Sequence, residues 1–153
     1  MASVVALVLL LLAGIWGFWP TSEQSAGSID SNDPALVAQG QEVYATACAS
    51  CHGADLEGQT NWRERGPDGR LPAPPHDETG HTWHHSDRQL FEITKYGVER
   101  FAPAGYESDM PAFEDNLSDE EIRAVLAYIK SRWPESERRS QARATALDEE
   151  SEG

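Results

Sequence analysis

Apolar residues recur at intervals of three and four in three segments of the chain, and this pattern predicts three amphipathic helices. The first segment begins at Pro34, after Asp33 as N-cap, and runs to about Cys48. Its apolar face consists of Leu36, Val37, Gly40, Val43, Tyr44 and Ala47. Because Gly40 weakens a helix and lies on this face, we expect a second helix to cross closely there.

The second predicted helix is short and covers residues 88–96. It begins after the pair Ser86-Asp87, and Gly97 is its stop signal. Its inward positions include Leu90, Phe91 and Ile93. Residues 53–86, before this helix, are punctuated by Gly and Pro throughout, which predicts a long loop.

The last predicted helix has the clearest start in the chain. Ser118 and Glu121 form a capping box, and Pro134 ends the helix. Its buried stripe consists of Ile122, Val125, Leu126, Ile129 and Trp133. Residues 135–153 are charged and lack an apolar stripe, which predicts a disordered tail.

The beginning of the chain has a different character, because residues 4–19 carry no charge and are rich in Leu, Val and Ala. Residues 1–20 are therefore predicted to be a signal peptide or a transmembrane anchor. The aromatic residues that end this segment favour an anchor, although no Lys or Arg precedes Arg63. The polar residues 21–32 predict a flexible linker. In either case we expect the domain at 33–134 to be exported to the periplasm or an equivalent compartment, anchored to the membrane or soluble after cleavage.

The chain is strongly acidic, with a formal net charge of −14. Residues 33–134 alone carry 18 acidic and 9 basic side chains, so the acidity belongs to the folded part. This charge excludes ordinary binding to a nucleic-acid backbone. It favours a protein partner with a basic docking surface.

The two cysteines of the chain occur in one motif, Cys48-Ala49-Ser50-Cys51-His52. Two thiols followed at once by an imidazole are typical of a covalent haem site. Cys48 and Cys51 can add to the two vinyl groups of a haem, and His52 can then ligate the iron. The motif therefore predicts one haem c, attached through both cysteines.

Three other uses of the motif fit the sequence less well. A structural zinc site needs four ligands, and the chain contains only one C-x-x-C pair. A thioredoxin-type dithiol lies between a strand and a helix, and no strand pattern flanks the motif. A disulfide across two intervening residues closes a very small loop and would stabilise little.

The order of these features resembles that of a small class I c-type cytochrome. One C-x-x-C-H motif follows a helix, and a loop, a short helix, the pair Met110-Pro111 and a capped last helix come after it. The resemblance covers residues 33–134 and implies an all-α fold around one haem with an exposed edge. It also implies that the first and last helices cross, which would make Tyr44 and Tyr128 neighbours.

The resemblance assigns roles to further residues. Met110 has the place of the distal ligand, so His52 and Met110 would hold the iron. Trp83 is expected to donate its indole N–H to a haem propionate. A proline carbonyl, that of Pro74 or alternatively of the pair Gly66-Pro67, is expected to accept a hydrogen bond from His52.

The implied function is electron transfer, by a carrier that is not itself an enzyme, between exported redox partners. A haem enzyme that reacts with gases or peroxide is the first alternative. The second uses four histidines that lie close together in the long loop, His76, His81, His84 and His85. One of them could replace Met110 at the iron, or the group could bind copper or zinc in a metal-handling module.

Overall fold

The computed structural model describes residues 28–152, and it contains no strand within that range. Its helices are α1 (Pro34–Ala47), α2 (Ala49–His52), α3 (Asp87–Tyr96), α4 (Asp119–Ser131) and α5 (Glu135–Glu152). Two 3₁₀ turns, Thr82–His84 and Val98–Arg100, flank α3. The predicted all-α class is confirmed for this part of the chain.

The helices begin where local hydrogen bonding predicts. The Asp33 carboxylate accepts from two backbone N–H groups of the first turn of α1. Ser86 with Gln89, and Ser118 with Glu121, form reciprocal capping boxes at α3 and α4. Each box satisfies donors that a helix start leaves without an intrahelical acceptor.

The centre of the fold is the crossing of α1 and α4. A Cβ atom on Gly40 would lie 1.9 Å from the carbonyl oxygen of Ala124, so the two backbones approach as closely as glycine allows. One turn further along α1, the rings of Tyr44 and Tyr128 pack with centroids 5.4 Å apart. The predicted close crossing and the predicted tyrosine pair are both confirmed.

Trp133 continues this core beyond the end of α4. The helix ends at Ser131, shortly before the predicted stop at Pro134, and Trp133 is 2% exposed. Its indole Nε1 donates to the carbonyl oxygen of His76 at 2.6 Å. The end of α4 is therefore joined to the long loop between α2 and α3.

The prediction of a disordered tail is wrong for Glu135–Glu152, which form α5. Helix-forming residues such as Glu, Arg, Gln and Ala dominate this segment. Its buried face is polar: Gln141 is 1% exposed and Thr145 is 8% exposed. Both side chains bind Asp87 at the start of α3. Gln141 Nε2 donates to the Asp87 carboxylate, and the amide of Asp87 donates to Thr145 Oγ1. A polar face of this kind leaves no apolar stripe in the sequence.

The end of the predicted linker also belongs to the folded unit. Ile29 is 5% exposed, its amide donates to Asp87, and its carbonyl accepts from Lys130. Ile29 therefore packs against the domain, contrary to the prediction that residues 21–32 form a flexible linker. Residues 1–20 lie outside the described range, and no helix within 28–152 is long and apolar enough to cross a membrane.

Candidate haem site

The Cys48–His52 motif forms a short helix that is fixed to the end of α1. Cys48 caps the C-terminal end of α1, and its amide donates to the carbonyl of Tyr44. His52 continues the turn, with its amide 2.9 Å from the carbonyl oxygen of Cys48. The hydroxyl of Tyr44 donates to the carbonyl of Gly53 at 2.8 Å, which closes the other end of the motif.

The two thiols are not joined to each other in a disulfide. Cys51 is exposed, whereas Cys48 is half-buried, and burial together with the neighbouring Cys51 raises the pKa of the Cys48 thiol to about 11. A dithiol oxidoreductase requires a lowered thiol pKa, so this environment counts against redox chemistry of the cysteines themselves. Both thiols are available for thioether bonds.

His52 is buried, with 8% of its surface exposed. Its Nδ1 lies 2.8 Å from the carbonyl oxygen of Pro74, the first of the two carbonyls considered above. Burial lowers the pKa of His52, and the hydrogen bond to Pro74 partly opposes that shift. The ring is therefore neutral near pH 7, donates through Nδ1–H, and has Nε2 as its electron-pair donor.

The segment that carries Pro74 is held by two glycines. A Cβ atom on Gly58 would lie 2.6 Å from the carbonyl carbon of Pro74, and one on Gly80 would lie 2.0 Å from the carbonyl oxygen of Pro75. The loop segments on either side of the prolines therefore approach the backbone of Pro74 and Pro75 as closely as glycine allows. This close packing fixes the Pro74 carbonyl at His52.

His76 lies against the face of the His52 ring, a contact that the sequence did not predict. The ring centroids are 4.0 Å apart and the planes differ by 22°. His76 Nδ1 lies 2.7 Å from Oγ1 of Thr82. Burial, with His52 and His81 as further causes, lowers the pKa of His76 well below its usual range. The only signal in the sequence was the position of His76, two residues after Pro74.

The other histidines of the loop pack against aromatic rings. His81 stacks on Trp62 with centroids 5.5 Å apart, and His85 meets His81 edge-on at 5.6 Å. His84 packs on Trp83 at 3.7 Å. Among residues 28–152, no group of three or more His, Cys, Asp or Glu side chains is arranged to hold a metal ion. The alternative of a copper or zinc site in this loop is therefore not supported.

Trp83 is half-buried against the core, and its indole Nε1 is fully covered. Within the described part of the chain, this N–H has no hydrogen-bond acceptor. A buried donor without an acceptor costs about 1–3 kcal/mol. The arrangement is explained if a group that is not part of the polypeptide accepts the bond.

Met110 is half-buried on a separate segment, between the turn Val98–Arg100 and α4. Arg70, from the long loop, holds the residue before it, with Nη1 2.6 Å from Asp109 Oδ1. After it, the amide of Phe113 donates to the carbonyl of Lys95 at 3.0 Å, at the end of α3. The segment is thus tied on both sides of Met110.

Three features of these residues fit a covalently attached haem. Cys48 is the N-cap of α2 and Cys51 lies within that helix, and both are free thiols. His52 is a buried neutral imidazole that is oriented through Nδ1. Trp83 presents a buried donor that lacks a protein acceptor in the described range, as a propionate neighbour requires.

Comparison with known proteins agrees with this arrangement. The sequence model of the cytochrome c family matches residues 37–133. The chain is 29% identical over 100 residues to the Cbb3-type cytochrome c oxidase subunit FixP of Rhizobium meliloti (strain 1021), covering 65% of this chain and 29% of that protein. It is 36% identical over 55 residues to the cytochrome bc1 complex cytochrome c subunit of Corynebacterium efficiens, covering 36% of this chain and 18% of that protein.

The chain therefore spans less than a third of the length of either relative. No solved structure matches it significantly. The family match extends from α1 to Trp133 and includes the Cys48–His52 motif and the Met110 segment. The chain belongs to the cytochrome c family, as a class I c-type cytochrome with one haem c attached through Cys48 and Cys51.

Proposed function

We propose that this cytochrome is a monohaem electron carrier in which His52 and Met110 are the axial ligands of the iron. The observation that carries the proposal is the hydrogen bond between His52 Nδ1 and the Pro74 carbonyl, 2.8 Å long. It supports His52 as a ligand, because a ligating histidine is usually oriented by an acceptor at its other nitrogen. The bound group would supply a one-electron Fe(III)/Fe(II) couple.

As the second residue that would hold the iron, Met110 would supply a soft thioether and close that side of the iron to small molecules. A thioether ligand favours ferrous iron and raises the reduction potential. The ties on either side of Met110, from Arg70 to Asp109 and from Phe113 to Lys95, support this role because they restrain the segment. A restrained ligand would keep small molecules from the iron. This property distinguishes an electron carrier from a haem protein that reacts with gases or peroxide.

Trp83 has a proposed role at the edge of the cofactor. Its buried N–H would donate to a propionate carboxylate and stabilise that charge in a site with little water. This contact would also orient the group relative to His52. The absence of a protein acceptor for Trp83 within residues 28–152 supports the assignment.

The partners are proposed to be redox proteins with basic docking surfaces. The acidic charge of residues 33–134 would steer such partners toward the domain. Two relatives are, by name, a subunit of a cbb3-type cytochrome c oxidase and a cytochrome c subunit of a cytochrome bc1 complex, which supports redox proteins as partners. The domain is proposed to work in the periplasm or an equivalent compartment, with residues 1–20 as anchor or signal peptide.

Optical spectroscopy of the oxidised protein and its Met110→Ala variant tests the ligation. We expect a sulfur-to-iron charge-transfer band in the wild type and its loss in the variant. We also expect slow uptake of carbon monoxide by the reduced wild type and fast uptake by the variant.

Phe101→Ala is the matched control, because it shortens an exposed apolar side chain in the turn before the same segment. It should keep the band and the slow uptake. A wild type without the band, or with rapid carbon monoxide binding, would contradict His/Met ligation and favour the haem enzyme.

A further inference from the structure

We propose that His76 is a positioning residue for the iron ligand His52, because its ring lies flat on the His52 imidazole and fixes the plane of that ring. The inference rests on the proposed ligation by His52 and goes beyond it by naming what sets the ligand's orientation. The two rings have centroids 4.0 Å apart and planes that differ by 22°.

The hydrogen bond to Pro74 restrains the ring plane from one edge only. The plane of the imidazole changes by rotation about the Cβ–Cγ bond, and the contact at Nδ1 opposes that rotation at a single atom. A flat neighbour in contact with the face of the ring opposes that rotation. Pro74 and His76 are two residues apart, so one short segment restrains His52 both at its edge and on its face.

His76 can act in this way only if it is itself fixed, and its side chain and backbone both are. Its Nδ1 lies 2.7 Å from Oγ1 of the buried Thr82. Its amide donates to the carbonyl of Leu56 at 2.7 Å, and its carbonyl accepts from Trp133 Nε1 at 2.6 Å. These contacts connect His76 to three different parts of the fold.

Leu56 adds a second indication that this placement matters. It has φ of +70° and is 1% exposed, so a large side chain is held in a left-handed backbone conformation. Such a conformation is strained and persists only where the surrounding structure enforces it. The carbonyl of Leu56 accepts from the amides of both His76 and Asp77. The strained residue therefore provides the backbone acceptor that holds His76.

The plane of an axial imidazole has a direct spectroscopic signature. In low-spin ferric haem, the ligand plane determines how unpaired spin spreads over the four pyrroles. The spread of the haem methyl resonances in proton NMR follows from that distribution. A change in the orientation of His52 should therefore move these resonances without changing which atoms ligate the iron.

The experiment uses the oxidised, haem-loaded full chain and four variants. His76→Leu removes the flat ring, and Thr82→Val removes only the hydroxyl that restrains it. His76→Phe keeps a flat ring without the hydrogen bond. His85→Leu is the control, since His85 contacts His81 in the same loop.

We expect a shift of the haem methyl spread in His76→Leu and a smaller shift in the same direction in Thr82→Val. His76→Phe should return the spread toward the wild type, because phenylalanine keeps a flat ring. A purely space-filling role predicts the same spread in His76→Phe as in His76→Leu. His85→Leu should leave the spread unchanged. Methyl spreads in His76→Leu and Thr82→Val that equal the wild type would overturn the inference.

A failure of His76→Leu to fold leaves the inference testable through Thr82→Val and His76→Phe. The charge-transfer band of the wild type separates this inference from the proposed function. A wild type without the band contradicts His/Met ligation. A wild type with the band, and variants with unchanged methyl spreads, contradicts only the role of His76.

Discussion

Asp87 and Lys130 form a buried ion pair that joins the start of α3 to the end of α4. Lys130 Nζ lies 2.6 Å from one carboxylate oxygen of Asp87 and 2.8 Å from the other. The same carboxylate accepts from Gln141 Nε2 and from the amide of Ile29, both at 2.6 Å. The Asp87 carboxylate on α3 is therefore bound by the beginning of the folded unit, by α4 and by α5.

Removing one partner of this pair should be costly. Lys130→Met leaves the Asp87 charge buried and unbalanced, and we expect the free energy of unfolding to fall by about 3–5 kcal/mol. Urea denaturation of the haem-loaded protein measures it. Arg139→Gln is the control, because it breaks an exposed pair with Glu135 that contributes about 0–1 kcal/mol. An equal fall in the free energy of unfolding in both variants would show that the buried pair stabilises the fold no more than the exposed pair does.

Gly40→Ala should destabilise the protein, although alanine normally favours a helix by about 1 kcal/mol. The added Cβ would meet the Ala124 carbonyl, and overpacking of this kind costs about 1–3 kcal/mol. Thermal unfolding measures the change. Gln41→Ala, at the adjacent exposed position, should change stability by less than about 0.5 kcal/mol. A more stable Gly40→Ala protein would contradict the close crossing.

Trp83→Phe should lower the reduction potential. Loss of a hydrogen bond leaves the propionate charge less stabilised, and that charge then favours ferric iron. One hydrogen bond of about 1 kcal/mol corresponds to on the order of 40 mV for a one-electron couple. Spectroelectrochemical titration measures the shift, with Trp62→Phe as the control because Trp62 stacks on His81. An unchanged potential in Trp83→Phe would argue against a propionate contact.

The attachment of α5 should depend on pH through Asp148. Hydrogen bonds from Arg88 and Ser86 hold the pKa of Asp148 below its usual value of 3.8. A lowered pKa in the folded state stabilises the fold above that usual value, and the contribution disappears as the pH falls through the lowered pKa.

Asp148→Asn should therefore lower the unfolding temperature at pH 7, and its difference from the wild type should shrink below about pH 3.8. Circular dichroism at several pH values measures both. Glu150→Gln, at an exposed position of the same helix, is the control. A difference that persists unchanged at pH 2 would mean that ionisation of Asp148 is not responsible.

The parts of the fold that the sequence predicted correctly depend on local chemistry. Helix starts are encoded within four residues, as at Ser118 and Glu121, and an apolar stripe identified the buried face of α4. The glycine at position 40 indicated a close crossing because it interrupts an otherwise good helix. The Cys48–His52 motif identified the cofactor for the same reason, since its atoms are contiguous in the chain.

The missed features depend on contacts between distant residues with no local pattern. The buried face of α5 is formed by Gln141 and Thr145, whose partner Asp87 is more than fifty residues away. Ile29 is isolated among polar residues and becomes buried only through its backbone bonds to Asp87 and Lys130. His76 was grouped with its neighbours along the chain, whereas its actual partner is His52.

The crossing at Gly40 and Ala124 also constrains the order in which the protein can form. Translation proceeds at about 5–20 residues per second, so the partner surface of α1 emerges roughly 4–17 s after Gly40 itself. During that interval α1, which ends at the Cys48–His52 motif, has no α4 to cover its apolar face. Final burial of the apolar face of α1 therefore waits until α4, near the end of the domain, has been made.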